Sequence, residues 1–364
     1  MEIYINGRFL TQRITGVQRF ALEFVKALDE LINSNPKIKN KYKFTLLIPK
    51  VKLLNEIELK EITIMRVGNS KGHLWEQVDL LVHSRKSLLI NLCNTGPIFK
   101  ERQIVTIHDA AVYRFPYSFS FAFRSWYKIM FKSFGRRSRK IITVSNFSKK
   151  ELINYCDIKQ EKITVVTEGK EHIKRSKLED AEIIRKNNLE HKKFIFAVSS
   201  LNPNKNFKRI IQAINTIDDE DFFIVIAGGS NPKVFKDSDD ILLDNKVKYI
   251  GYISDNDLKI MYEHATGFIY PSLYEGFGLP PLEAMACGCP VIVSNTSSLP
   301  EVCGTAALYC DPYNIEDIGA KMKVLIQNED LRAELADAGK ERAKNFSWDK
   351  CAKEIFNVIE EALS

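Results

Sequence analysis

Apolar residues fall into short runs that alternate with longer amphipathic segments along this chain. Runs at 43–49, 103–108 and 267–271 are too short for buried helices, and they predict buried strands. The segment from Thr15-Gly16 to about Ile32 instead repeats its apolar positions with a helical period. Strands that alternate with helices are typical of a mostly parallel, doubly wound sheet, so the pattern predicts an α/β fold.

The predicted strands form two sets separated by the polar segment 168–180. The first set is 2–6, 43–49, 61–67, 87–93, 103–108, 140–145 and 162–167. The second set is 194–199, 221–227, 247–253, 267–271, 290–294 and 306–310. Residues 314–344 are predicted as helix, and a last amphipathic helix follows with Ser347 as its N-cap. With 364 residues, the chain is long enough for two domains, 1–170 and 171–346.

The stretch 267–294 has the most specific pattern in the chain. A short strand leads into a glycine-rich turn, a short helix with a Pro-Pro start follows, and Gly288 precedes the next strand. Glu275 lies in the turn and Glu283 in the predicted first helical turn. Carboxylates at the carboxyl end of a parallel sheet accept hydrogen bonds from vicinal hydroxyls, as on sugars and ribose. For Glu283 alone, an ordinary acidic helix start is an equally good interpretation.

The string from Glu275 to Glu283 resembles the Glu-(any seven)-Glu signature of the retaining glycosyltransferases of family 4. The resemblance covers most of the chain and is strongest over 194–312. It implies that Glu283 binds the ribose of a nucleotide-sugar donor. It also implies that Glu275 acts in catalysis at the transferred sugar, with a pocket formed by Phe277, Gly278 and Leu279.

Further positions match the same family. The resemblance implies that Lys205 contacts the donor diphosphate. Ser200, in the same loop, stands where many members of the family carry arginine, and it is expected to bind the donor as well. Tyr252 and Ile253 match the segment beside the nucleotide base. Gly16 matches a glycine loop that faces the donor and acceptor, and His108 matches a functional histidine at a strand end. Taken alone, a glycine near a helix start or a lone histidine is more often structural.

The family resemblance implies the GT-B architecture, in which two Rossmann-like domains face each other across a cleft. Residues 1–170, with the helix 347–364 packed back on them, would bind the acceptor, and residues 171–346 the donor. Neither a cofactor nor a metal ion is expected, because a lysine and helix N-termini can neutralise a diphosphate. Retention is expected through a same-face reaction in which the leaving phosphate helps to deprotonate the acceptor.

The expected activity is therefore that of a hexosyltransferase in polysaccharide biosynthesis. Mannose from GDP-mannose is the leading donor, and the acceptor is a glycan or lipid-linked glycan, because the motifs resemble bacterial mannosyl- and rhamnosyltransferases. A glycosidase, a GT-B nucleotide-sugar epimerase and a noncatalytic reader of sugars or nucleic acid are the alternatives. Paired carboxylates also suit a glycosidase, although its pair normally lies across the sugar.

Composition and charge indicate where in the cell the protein acts. Seven cysteines without a repeating pattern, no long apolar run and no signal-like start favour a cytoplasmic protein. Residues 1–167 carry a net charge of +15 and residues 168–364 one of −8. Aromatic and basic residues interleave over 124–140, which favours peripheral contact with an anionic membrane, at the inner face of the plasma membrane. A core helix with a basic outer face is equally consistent, and no nucleic-acid motif accompanies the stretch.

Overall fold

The computed structural model describes residues 1–175, 181–199, 202–217, 222–228 and 246–364. The chain divides into two compact units. The first unit comprises Met1–Gly169 and Ser347–Ser364, and the second comprises Lys170–Phe346. Each unit is built around its own parallel sheet with helices packed on it. The predicted α/β class, with two doubly wound domains, is confirmed.

Seven parallel strands form the sheet of the first unit. They are β1 (Glu2–Asn6), β2 (Lys43–Pro49), β3 (Thr63–Val67), β4 (Leu88–Asn91), β5 (Gln103–Thr106), β6 (Lys140–Thr143) and β7 (Ile163–Val165). Their order is β3-β2-β1-β4-β5-β6-β7. The chain therefore builds outward from β1 in one direction and then from β4 in the other. The central strands β4 and β5 are buried along their whole length, which explains their unbroken apolar runs.

Helices of the first unit cover this sheet. They are α1 (Gly16–Ser34), α2 (Pro36–Lys41), α3 (Gly72–Trp75), α4 (Leu81–His83), α5 (Ala111–Arg114), α6 (Phe121–Arg137) and α7 (Asn146–Cys156). The last helix of the chain, Trp348–Leu363, also belongs to this unit and packs against α1. The Trp348 ring lies 6.0 Å from that of Phe20, and Tyr42 Oη donates to Glu360 Oε1 at 2.9 Å. Ser347 caps the helix as predicted, because its hydroxyl accepts from Lys350 N.

Six parallel strands form the sheet of the second unit. They are β8 (Lys193–Ser199), β9 (Phe222–Gly228), β10 (Val247–Gly251), β11 (Gly267–Tyr270), β12 (Val291–Ser294) and β13 (Leu308–Cys310), in the order β10-β9-β8-β11-β12-β13. The order reverses between β8 and β11. Ligands bind in open α/β sheets where the order reverses, at the carboxyl ends of the strands.

Among the described residues of the second unit, the helices are α8 (Glu171–Arg175), α9 (Glu182–Lys186), α10 (Phe207–Ile214), α11 (Asp255–His264), α12 (Leu279–Ala286), α13 (Leu299–Cys303), α14 (Ile315–Gln327) and α15 (Glu329–Ala343). The predicted helical region 314–344 is helical apart from one break, at Asn328. Asn328 ends α14 and also caps α15, where its side chain accepts from Leu331 N. An asparagine side chain that competes for backbone N–H groups favours such a break.

Six of the thirteen predicted strands end earlier in the structure. β5 ends at Thr106 and β10 at Gly251, where the runs predicted strands to 108 and 253. Ile107, the residue after β5, is still buried and its N–H donates to Ile142 O at 2.8 Å, so the apolar run continues past the end of the strand. His108 and Tyr252 therefore lie in loops just beyond the carboxyl ends of β5 and β10.

Candidate functional site

A buried ion pair between Lys205 and Glu275 lies beside the end of β11. Lys205 Nζ is 2.7 Å and 2.9 Å from the two Glu275 carboxylate oxygens, and it donates to Tyr270 Oη at 3.0 Å. The two charged side chains are only 17% and 11% exposed. Burial lowers the pKa of Lys205, but the Glu275 charge and the Tyr270 hydroxyl together raise it by more. The pKa of Lys205 therefore lies above its usual value. Lys205 is therefore a cation that Glu275 neutralises.

The loop that carries Glu275 is fixed by two serines from the segment after β12. Ser298 Oγ donates to the backbone oxygens of Glu275 at 3.0 Å and Phe277 at 2.6 Å, and Glu275 N donates to Ser297 Oγ at 3.2 Å. Gly278 has φ of +116°, and a Cβ there would lie 2.7 Å from a Leu299 methyl carbon. Only glycine fits this position without strain. The loop is thus held in one conformation around the carboxylate.

The N-terminus of α12 presents backbone donors beside this carboxylate. The N–H groups of Phe277, Gly278 and Leu279 make no hydrogen bond to any other described residue. The next two residues are prolines, which have no N–H to offer. The Phe277 side chain is buried, and its ring packs 5.8 Å from that of Phe346. These residues can therefore bind a ligand through the backbone, as helix N-termini bind anions.

Glu283 is the fifth residue of α12 and faces the interior of the second unit. The prediction that it lies in the first helical turn was wrong, because the helix begins at Leu279. Glu283 is 6% exposed, and its Oε1 lies 2.7 Å from His172 Nε2. Its Oε2 accepts from Tyr262 Oη at 3.2 Å. An ionised carboxylate has about four acceptor positions, so two protein contacts leave room for ribose hydroxyls.

The sequence did not indicate the partners of these carboxylates. His172 precedes Glu283 by 111 residues, and Tyr262 lies on the preceding helix. Burial and then the charge of Glu283 raise the pKa of Tyr262 well above its usual value, so its hydroxyl stays protonated and donates. Tyr270 is the last residue of β11, a strand read only as core. The one sequence signal for this partner was a tyrosine at a strand end, and tyrosines are too common there to indicate a site.

The loop of Lys205 is bound directly to the loop of Glu275. Asn206 adopts a left-handed conformation, and its Nδ2 donates to Pro271 O at 2.9 Å. Leu273 N donates to Asn204 O at 2.7 Å. These contacts fix the distance between Lys205, predicted to bind the diphosphate, and Glu275, predicted to bind the sugar. Ser200, the other residue of this loop predicted to bind the donor, lies outside the described residues.

The segment predicted to line the base follows β10. Tyr252 is 75% exposed and Ile253 is partly buried. Ser254 starts α11 with a capping box, in which its hydroxyl accepts from Asp257 N at 3.1 Å. The cap fixes the start of the helix directly after these two residues. Tyr252 therefore exposes its ring just before a helix start whose position is fixed.

Two predicted residues belong to the first unit. Gly16 is the first residue of α1, and a Cβ added there would meet no atom within 4 Å. His108 is 4% exposed, with Nε2 at 3.0 Å from Leu92 O and Nδ1 at 3.7 Å from Glu168 Oε1. Glu168 itself is 4% exposed, although the sequence placed it in a polar linker. The start of the polar segment, residues 168–173, is thus buried or partly buried.

His108→Ala is expected to lower kcat without changing the affinity for a nucleoside diphosphate, which is predicted to bind the second unit. The measurement pairs initial rates with calorimetric nucleotide binding, and thermal unfolding verifies that the variant folds. The exposed His83 in α4 offers a matched control, His83→Ala. A near-normal kcat in a folded His108 variant would show that the histidine is structural.

The described residues contain no group of three or more His, Cys, Asp or Glu side chains placed to hold a metal ion. Cys287 and Cys289 are not paired with each other, and burial raises the pKa of Cys287 to about 12. They act as packing residues beside Gly288. No helix among the described residues is long and apolar enough to cross a membrane.

The sequence and the fold of this chain are similar to those of known proteins. Residues 69–169 match the family model described as Glycosyltransferase Family 4, and residues 179–342 match that of Glycosyl transferases group 1. The chain belongs to glycosyltransferase family 4. O-antigen chain mannosyltransferase B of Escherichia coli is 29% identical over 388 residues, covering 98% of this chain and 99% of that protein.

Two further comparisons extend this assignment of the glycosyltransferase. O-antigen chain mannosyltransferase RfbU of Salmonella typhimurium is 30% identical over 235 residues, which are 64% of this chain and 63% of that protein. Anabaena HepE, solved in complex with UDP-glucose, superposes with a TM-score of 0.74 at 14% identity and covers 99% of both chains. The similarity to HepE shows the fold alone, which is the GT-B fold expected from the sequence.

Proposed function

We propose that this glycosyltransferase transfers mannose from GDP-mannose to a glycan or lipid-linked glycan, with retention of the anomeric configuration. The observation that carries the proposal is the Lys205–Glu275 pair beside the start of α12, with Glu283 farther along the same helix. The first N–H groups of that helix make no hydrogen bond to another described residue. The similarity to two O-antigen mannosyltransferases supports mannose as the transferred sugar.

Each part of a nucleotide-sugar has a chemically suitable partner in the second unit. Glu283 would accept hydrogen bonds from the ribose hydroxyls. Lys205 and the unpaired N–H groups of α12 would neutralise the diphosphate, whose charge grows as the sugar leaves. Glu275 would hold hydroxyls of the transferred mannose, and Tyr252 has a free face for the base. The diphosphate is thus neutralised by protein groups, and we propose that neither a divalent ion nor a cofactor is required.

Donor binding requires an exchange of partners at Lys205. Its three ammonium hydrogens already face Glu275 and Tyr270. A diphosphate that binds Lys205 would replace the Glu275 carboxylate and release it toward the sugar hydroxyls, while Tyr270 holds the ammonium in place. The donor would thereby assemble its own sugar-binding carboxylate.

The same groups suit a same-face reaction. In that reaction the bond from the anomeric carbon to the phosphate oxygen breaks, and the acceptor hydroxyl attacks from the same side. The departing phosphate takes the hydroxyl proton, so no protein base is needed. Retention would follow from this geometry, and it is tested by the anomeric coupling constants of the product.

The activity test combines donor and acceptor. Purified protein is first screened by thermal shift against GDP-, UDP- and dTDP-sugars, since a ligand that binds the native state raises Tm. The stabilising donor is then incubated with mannosyl acceptors, with and without EDTA. We expect GDP-mannose to stabilise most and EDTA to leave the rate unchanged. Transfer from another donor, or loss of the rate in EDTA, would contradict the respective part of the proposal.

The products of that incubation also separate the alternatives. An epimerase would convert the nucleotide-sugar without an acceptor, and a noncatalytic reader would bind it unchanged. Donor consumption that depends on added acceptor and yields a new glycosidic bond is expected for the transferase only.

Lys205→Ala is expected to weaken binding of GDP by about 1.5–3 kcal/mol, the scale of a hydrogen bond to a charged group. Calorimetric titration measures the effect directly. Lys208→Ala is the matched control, because Lys208 is exposed on the following helix and makes no described contact. Equal GDP affinity of the wild type and Lys205→Ala would refute the diphosphate role.

The first unit also presents a surface suited to an anionic membrane. At the start of α6, Tyr117, Phe121 and Phe123 are 98%, 74% and 38% exposed. The later aromatic residues Phe131 and Phe134 are buried in the core. The exposed aromatic residues thus precede the predicted stretch 124–140, whose own rings are partly or fully buried. We propose that these exposed residues, together with the basic residues of the stretch, dock on a membrane that presents a lipid-linked acceptor.

Some of the basic residues of this stretch already have other roles. Arg137 lies 3.5 Å from Glu101, and Arg139 Nη1 donates to Ala362 O. Replacing them would perturb the first unit itself. Lys132 and Arg136 are exposed, and Arg124 lies 5.3 Å from the centroid of the Phe121 ring. At about 1 kcal/mol per cation, these three can hold the protein reversibly at an anionic surface.

The wild type is therefore expected to sediment with anionic but not neutral vesicles, and to be released by high salt. The variant R124E/K132E/R136E should stay in the supernatant. An equal charge change at exposed lysines elsewhere in the first unit, K37E/K50E/K52E, is the control and should still sediment. Wild-type protein that remains in solution with anionic vesicles at low salt would end the docking proposal.

A further inference from the structure

A buried polar network lies at the carboxyl end of the first unit's sheet, where the strand order reverses. β1 and β4 are neighbours there, with β2 beyond one and β5 beyond the other. Their last residues, Asn6 and Asn91, share a hydrogen bond of 3.0 Å. Asn91 also donates to Gln103 Oε1 at 2.9 Å. In open α/β sheets such a reversal is the usual place for a ligand, and the donor-binding residues lie at the corresponding place of the other unit.

One carboxylate at this place orients two other side chains. Glu76 is fully buried and begins a π-helical turn, Glu76–Leu80, a feature frequent at functional sites. Its Oε1 lies 3.0 Å from Arg8 Nε, and its Oε2 lies 3.1 Å from His73 Nδ1. Burial raises the pKa of Glu76, but the contacts with His73 and Arg8 lower it by more. The carboxylate is therefore ionised and holds both partners.

Each partner keeps hydrogen-bonding capacity directed away from Glu76. Arg8 Nη2 donates to Thr95 Oγ1 at 3.3 Å, whereas its Nη1 makes no hydrogen bond to a described residue. The His73 side chain is 38% exposed, and its Nε2 has no partner among the described residues. Because Nδ1 lies against the carboxylate, Nε2 is the ring nitrogen left to meet a ligand. The network thus fixes the position of one guanidinium and one imidazole nitrogen.

Aromatic rings adjoin these groups. The His73 ring lies 6.2 Å from the rings of Trp126 and Tyr127, and both are partly exposed. The indole Nε1 of Trp126 is itself buried and has no hydrogen-bond partner among the described residues, so it is the faces of these rings that a ligand would meet. Stability alone does not explain the cluster, because apolar residues in place of a buried ion pair are often equally stable. A function that needs a fixed guanidinium and imidazole does explain it.

We propose that Arg8, His73 and the adjoining rings bind a neutral hexose unit of the acceptor glycan. A hexose offers vicinal hydroxyls, which both donate and accept, and C–H surfaces that pack on aromatic rings. Because Glu76 neutralises Arg8, the site favours hydroxyls over a phosphate. This inference rests on the proposed function and names the acceptor-recognising residues for it.

The test measures binding without catalysis. Methyl α-D-mannopyranoside and mannose 6-phosphate are titrated into the whole 364-residue chain, and saturation-transfer NMR measures their binding. His73→Ala and Arg8→Lys are compared with the wild type and with His83→Ala, a control at another exposed histidine near the same segment. We expect the glycoside to lose about tenfold in affinity or more in the first two variants, the scale of one hydrogen bond to a charged group.

GDP affinity should be unchanged in both variants, because the network belongs to the first unit. Unaltered glycoside binding in a folded His73→Ala protein would overturn the proposal, even if Arg8→Lys failed to fold. Tighter binding of mannose 6-phosphate than of the glycoside would overturn the neutral class of ligand. Glycoside binding that depends on these residues, without transfer from any donor, would leave this site supported and refute the proposed mannosyl transfer.

Discussion

Replacing Glu275 by glutamine is expected to lower kcat for sugar transfer by about 100-fold or more, the scale of losing one preorganised polar group in a transition state. The same change is expected to strengthen the binding of GDP. In the donor-free protein Glu275 occupies Lys205 through both carboxylate oxygens. A neutral amide competes less with the diphosphate for that ammonium, so nucleotide affinity and turnover should move in opposite directions.

Glutamine is the informative substitution at this position. Removing one member of a buried ion pair strands the other charge at a cost of about 3–5 kcal/mol, and alanine would also leave a cavity. Glu316→Gln, at an exposed glutamate of α14, is the matched control. Calorimetry with GDP and initial rates are measured on the same preparations. Weaker GDP binding in Glu275→Gln would contradict the exchange of partners at Lys205. An unchanged kcat would show that Glu275 has no catalytic role.

Replacing Glu283 by glutamine is expected to raise the donor KM by about 10- to 100-fold, because a neutral amide accepts weaker hydrogen bonds from two ribose hydroxyls. The kcat at saturating donor should change less, since the ribose is remote from the reacting bond. Glutamine again keeps the packing, whereas alanine would leave His172 and Tyr262 without their buried partner.

A surface glutamate on the same unit provides the comparison for this variant. Glu263, on α11, pairs at 3.9 Å with Lys259 and is 32% exposed. Glu263→Gln should leave the donor KM unchanged. Binding of mannose 1-phosphate, which lacks the ribose, should be equal in Glu283→Gln and the wild type. An unchanged donor KM in Glu283→Gln would sink the ribose assignment.

The sequence alone determined the strands and the two-unit organisation. The central parallel strands are buried on both faces, so they appear as continuous apolar runs that need no knowledge of their neighbours. Edge strands are less buried, as in β3, whose first four residues are exposed. The positions of all thirteen strands were nevertheless predicted, with errors at the ends. The ends are set by where ladder hydrogen bonds stop, which depends on the neighbouring strand and is not visible in one run.

Local chemistry also determined the candidate turn. Glu275 and Glu283 are separated by a glycine that the backbone requires and by two prolines at a helix start. These are short-range constraints, and they can be read from consecutive residues. The exact helix start was not predicted. Gly278 is the N-cap, at φ +116°, and it has no side chain whose capping preference could have indicated the start.

Only the tertiary structure decided how the charged groups are partnered. Lys205 meets Glu275 across 70 residues, His172 meets Glu283 across 111, and Arg8 meets Glu76 from different elements. A buried charge must find a counter-charge or hydrogen bonds, but any of many residues could supply them, so sequence spacing carries no information on the choice. The sheet topology decides it, because it brings the carboxyl ends of strands that are distant in the chain to one edge.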